Sequence, residues 1–288
     1  MARLAVNGVA LNVETAGSGP ALVLLHGFTG AAGSWAAHLP ALSARCSTVA
    51  IDMLGHGASD APAEPSRYGI EHAAADVLAV LDRLRIGRAA VLGYSMGGRA
   101  ALFLAAVAPE RVTALILESA SPGIADAAGR AARAAQDAKL ADAIERDGVP
   151  AFVDRWERLP LFATQAALPA EVRAVVRAQR IAQSPRGLAN SLRGLGQGAQ
   201  PALFDRLGAL PMPVLLIAGE CDERYAALGL VMRRAIPDAR VVVVPAAGHT
   251  VHLEQPEAFQ RAVLDFLRSV EDGDAARRRC GDEMADRA

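Results

Sequence analysis

Residues 89–105 read AAVLGYSMGGRAALFLA. The first part is an apolar run of strand length. The part from Met96 onward has the length and apolar content of a helix that stops before Pro109. Between them, Gly93-Tyr94-Ser95-Met96-Gly97 forms G-x-S-x-G, the sharp strand-to-helix turn that exposes a serine Oγ above a sheet. Serine is a poor nucleophile or base alone. It needs a histidine to take its proton and a carboxylate to hold that histidine. Four residues beyond the serine stands Arg99. A cation there opposes the helix dipole, yet the spacing puts it on the serine's face of the helix, toward a pocket.

Working outward, the same strand-then-loop arrangement recurs. Residues 21–27, 47–60, 112–119, 213–222 and 239–249 each contain a short apolar run followed by a turn or loop. Residues 70–84 have helical periodicity, a closing helix follows Pro256, and Asn7-Gly8 marks an N-terminal hairpin. Buried strands alternating with helices predict an α/β fold with a mostly parallel sheet covered on both faces. In such sheets the site lies beyond the carboxyl ends of the strands. Asp222 and His249 fall at two of those ends, after Ser95 and in the order Ser…Asp…His. They are the expected triad partners, with Glu220 and His252 as competitors for the acid and the base. An oxyanion needs convergent donors, and the backbone N–H groups of Met96 and Phe28 are placed to supply them.

The run from 123 to 205 is helical in pattern and has no strand-like segment. It reads as a helical lid inserted into a core made of residues 1–122 and 206–270, and the polar tail 271–288 reads as disordered. The 288 residues are 52% hydrophobic and carry a formal net charge of -1, which favours neither nucleic acid nor an anionic membrane as partner. Three widely spaced cysteines make no disulfide framework or metal site. No metal or organic cofactor is expected. With no signal peptide or apolar span visible, the expected location is the cytoplasm and the expected state a monomer.

The segments LLHGF (24–28), DMLGHGASD (52–60), GYSMGG, LIAGECD (216–222) and AGHTVHLEQPEAF (247–259) resemble the α/β-hydrolase superfamily across about residues 1–270. That superfamily spans many reactions. More specifically, GYSMGGR, WERLPLF (156–162) and RIAQSPRGLANSLRGLGQGAQPALFDRL (180–207) are similar to the MenH family of menaquinone biosynthesis, the 2-succinyl-6-hydroxy-2,4-cyclohexadiene-1-carboxylate synthases. Where that family usually has G-T-G-A-Q-P, this chain has Gln197 in place of the threonine. The resemblance implies a carbon–oxygen lyase. It would eliminate pyruvate from 2-succinyl-5-enolpyruvyl-6-hydroxy-3-cyclohexene-1-carboxylate, a small molecule with three carboxylates, with Ser95 acting as base through His249 and Asp222. It also implies that Tyr94, Arg99, Arg133, Trp156 and Arg180 bind substrate, Arg177 competing with Arg180 for its role. The alternatives are a hydrolase of esters or of the C–C bonds of vinylogous diketones, and a non-catalytic binding protein.

Overall fold

In the computed structural model the backbone is described for residues 2–285 and side chains through residue 273. The chain opens with a hairpin of β1 (Ala2–Val6) and β2 (Val9–Ala16). Val6 pairs with Val9 across Asn7 and Gly8, whose φ angles of 46° and 81° are those of the tight turn matching strand twist. The parallel strands follow as β3 (Ala21–Leu25), β4 (Ser47–Ile51), β5 (Ala89–Tyr94), β6 (Val112–Glu118), β7 (Val214–Gly219) and β8 (Ala239–Val244). The sheet order is β1-β2-β4-β3-β5-β6-β7-β8, and only the pairings of β2 with β1 and with β4 are antiparallel. The expected α/β architecture is therefore the observed one.

The central strand β3, ALVLL, is apolar at every position because both its faces are covered. Leu22, Val23, Leu24 and Leu25 are all fully buried. Val23 and Leu25 face a core shared with α2 (Ile70–Arg83) and α3 (Met96–Val107), which follow the short α1 (Leu39–Ser43). Leu22 and Leu24 face a second core with Trp35, Phe259, Val263 and Phe266. Each such leucine contributes on the order of 1.5–3 kcal/mol by its removal from water.

Between β6 and β7 the described chain has no strand. It holds α4 (Ala127–Trp156), a 3₁₀ segment Pro160–Ala167, α5 (Ala170–Ile181) and α6 (Pro185–Leu195). α4 is broken at Gly148, at φ 82°, two residues before Pro150. Its second part packs Phe152 and Val153 against Leu188 and Leu192 of α6, and Phe28 of the sheet domain packs on that cluster. After β7, α7 (Glu223–Ala235) and the four-residue α8 (Val251–Glu254) flank β8, and α9 (Pro256–Ala285) closes the fold. The tail expected to be disordered from 271 is instead helical in backbone as far as Ala285. Its alanines and arginines are strong helix formers that extend an already nucleated helix. Residues 286–288 lie outside the described residues. Among the described residues, no helix is long and apolar enough to cross a membrane.

Candidate active site

β5 ends at Tyr94 and α3 begins at Met96, so Ser95 alone makes the reversal, at φ 50° and ψ −105°. Such a backbone is strained for a residue with a side chain and is held by its surroundings. The Ser95 N–H donates to the Glu118 carbonyl oxygen at 2.8 Å. Gly93 and Gly97 make the reversal possible: a Cβ on Gly93 would overlap the Gly97 carbonyl, and one on Gly97 would overlap the Leu25 and His26 carbonyls.

The loop after β8 brings His249 to this turn. Its Nε2 lies 3.1 Å from Ser95 Oγ, and its Nδ1–H donates to Asp222 Oδ2 at 2.6 Å. That tautomer leaves Nε2 free to accept the serine proton. Asp222 is fixed as the N-cap of α7, where Oδ1 accepts the Tyr225 N–H at 3.4 Å. Glu254 clamps the histidine's backbone from both sides, accepting the Gly248 N–H at 2.6 Å and the Thr250 N–H at 3.1 Å. The competing residues lie elsewhere. His252 is turned to buried Glu118, 2.8 and 2.9 Å from its two oxygens. Glu220 is exposed and accepts the Ala246 N–H.

In front of Ser95 is a cavity of about 210 Å³, to which Phe28, Met96, Arg99, Arg133, Trp156 and His249 all contribute. The Met96 N–H begins α3 and has no partner within the helix. Tyr94 lines the cavity and donates or accepts at Thr250 Oγ1, 2.8 Å away, and burial raises its phenol pKa. Trp156 packs between Phe28 and Phe162, with ring centres 5.4 and 5.5 Å away. Arg99 is half-buried and bonds Gln200. Loss of water lowers its pKa to about 10, so it remains a cation at neutral pH. Arg133 donates to Asp137 at 2.8 Å and to Gln197 at 3.0 Å, and the Gln197 amide donates in turn to Ser121 Oγ at 2.8 Å. The residue that departs from the family pattern is thus buried beside Arg133, and it lines the cavity too.

The structure places Arg180 beside this cavity rather than in its lining. It is buried against Glu157 and Gln165, each 3.1 Å away, with its guanidinium 5.3 Å from the Phe162 ring centre. It lines instead a neighbouring cavity of about 440 Å³, closed on one side by Leu253 of α8, and a small one of about 70 Å³ that Phe28 and Tyr94 also line. Its competitor Arg177 also lines the larger of the two, bonded to Asp154 and Glu157. Conversely, Arg224 and Tyr225, in the first turn of α7, line the Ser95 cavity and were not expected there. Their position just after Asp222 was the available signal.

The family model described as alpha/beta hydrolase fold matches residues 20–256. A Bacillus subtilis (strain 168) protein that carries a provisional name as 2-succinyl-6-hydroxy-2,4-cyclohexadiene-1-carboxylate synthase is 44% identical over 250 residues, covering 87% of this chain and 91% of that protein. The chain belongs to the α/β-hydrolase family and, within it, to the MenH family. A 2-succinyl-6-hydroxy-2,4-cyclohexadiene-1-carboxylate synthase of Serratia proteamaculans (strain 568) is 31% identical over 86% of this chain and 93% of its own length. The solved structure of MenH from S. aureus superposes with a TM-score of 0.87 at 33% identity, covering 91% of this chain and 98% of that one.

Proposed function

We propose that this MenH-family chain is a 2-succinyl-6-hydroxy-2,4-cyclohexadiene-1-carboxylate synthase, a carbon–oxygen lyase of menaquinone biosynthesis. The observation that carries the reading is the convergence of Arg99 and Arg133 on the cavity faced by the Ser95–His249–Asp222 chain. Hydrolysis of a neutral ester needs no such cations. A polycarboxylate needs them, because planar guanidinium forks hold carboxylates in fixed orientation.

His249 Nε2 takes the Ser95 hydroxyl proton, and the serine oxygen removes a ring proton from the substrate. Asp222 stabilises the imidazolium that forms. Negative charge developing on the succinyl carbonyl is met by the N–H groups of Phe28 and Met96. As the ring double bond forms, the C–O bond to the enolpyruvyl group breaks. Pyruvate leaves as its enol, carrying a proton in place of the one lost from the ring. No water is consumed and no acyl-serine forms. Tyr94 and Trp156 shape the cavity around the ring, and residues 123–205 act as its lid. We place the enzyme in the cytoplasm and take it to act as a monomer.

The test is pyruvate release from 2-succinyl-5-enolpyruvyl-6-hydroxy-3-cyclohexene-1-carboxylate, followed against the spontaneous reaction. Acceleration by the protein is expected. No acceleration, or faster turnover of short p-nitrophenyl esters, overturns the reading.

A further inference from the structure

The cavity in front of Ser95 holds a third guanidinium. Arg224 lies two residues after Asp222 and lines the cavity together with Arg99 and Arg133. Its guanidinium carbon is 5.8 Å from the centre of the Tyr225 ring, and that ring lies 4.8 Å from the His249 ring. Arg133 is paired with Asp137, whereas Arg224 enters no ion pair among the described residues. It is exposed at the rim, on the first turn of α7, where the helix dipole opposes a cation.

The three cations come from three elements: Arg99 from α3, Arg133 from α4 and Arg224 from α7. They bracket the cavity from different directions. α3 and α7 also both begin at this cavity, so their positive dipole ends add to the field. The one carboxylate in the lining, Asp222, is engaged by His249. Such a site favours an anion with several separated carboxylates over one with a single carboxylate.

We infer that Arg224 is a further carboxylate anchor of this site, at its α7 side. The inference rests on the reading of the substrate as a tricarboxylate. Arg224→Gln is expected to raise KM for the enolpyruvyl substrate about tenfold or more, with kcat within about threefold, as loss of a charge-assisted hydrogen bond does. Arg224→Lys should recover part of the loss. High salt should narrow the gap between parent and Arg224→Gln. A merely structural role predicts the opposite signature. Removing a cation from a helix N-terminus leaves Tm unchanged or slightly higher, so a KM defect at undiminished Tm cannot come from misfolding.

A second arm does not depend on turnover: calorimetry of tricarballylate, a flexible tricarboxylate, binding to the parent and to Arg224→Gln. Weaker binding to the variant supports the anchor even if the parent releases no pyruvate, in which case only the functional reading falls. Pyruvate release by the parent with an unchanged KM in Arg224→Gln overturns the anchor and leaves the function standing. A parent that neither turns over the substrate nor binds tricarballylate overturns both.

Discussion

Ser95 and Gln197 serve different parts of the site, the proton relay and the setting of Arg133, so their substitutions should separate. Ser95→Ala removes the atom 3.1 Å from His249 Nε2 while leaving the arginines in place. Its kcat for pyruvate release should fall by about 10²–10⁴, the range for loss of general-base assistance, with KM within a few-fold. In the parent, mass spectrometry during turnover should find no acyl-serine adduct; one that accumulated would mark Ser95 as a nucleophile. Gln197→Thr is too short to keep both the Arg133 and the Ser121 bonds. With Arg133 then fixed by Asp137 alone, KM should rise several-fold while kcat is retained. An unchanged KM would show that Asp137 sets the guanidinium by itself. At this scale Ser95, Asp222 and His249 were legible because each falls at a strand end, and strand ends can be read from short apolar runs. Arg180 was not. The far end of an arginine is several bonds from its Cα, and which carboxylate captures it depends on a neighbour, Glu157, that is 23 positions away in the chain.

The turn between β5 and α3 is the element on which the site depends. Gly97 lies against the Leu25 and His26 carbonyls of the neighbouring strand end, and a methyl group there meets backbone that cannot rotate away. Gly97→Ala should therefore push α3 outward, lower Tm by several degrees and reduce pyruvate release by at least about 10², the cost of losing one oxyanion donor. A variant with normal Tm and activity would show that the turn has slack. The six later strands could be read from their apolar runs, since a strand covered on both faces has no polar alternation to blur it. α9 could not be read to its end. The same alanines and arginines suit a solvated coil and an exposed helix alike, and continuity with residues 256–270 decides between them.

Across the molecule, several histidines are buried as neutral rings. His38 donates from Nε2 to the His252 carbonyl at 2.9 Å and accepts at Nδ1 from Gln260 at 3.0 Å, a pattern that needs one protonated nitrogen. Burial, with His252 nearby, lowers its pKa to about 4, and burial takes His56 to about 3. The unfolded chain binds these protons near the ordinary histidine value of 6.5, so it gains protons first as pH falls. Their contribution to stability is complete above that value and is lost progressively as pH falls toward about 4. Urea midpoints measured between about pH 7 and pH 4.5 should drop, and His38→Gln should flatten part of that drop. A His38→Gln slope identical to the parent's would remove His38 from the account.

The order of strands and helices, the serine turn and its two partners follow from local patterns, because apolar periodicity and turn residues are dictated by near neighbours in the chain. The same patterns carried the family resemblance. The composition of the binding cavity was settled by folding. Arg99, Arg133, Gln197 and Arg224 meet there only because α3, α4, α7 and the segment after α6 pack over the carboxyl ends of the strands, and Arg180 stays beside the cavity because Glu157 and Gln165 take its guanidinium. Long cationic side chains are placed by the partners they find in space, and those partners are distant in sequence.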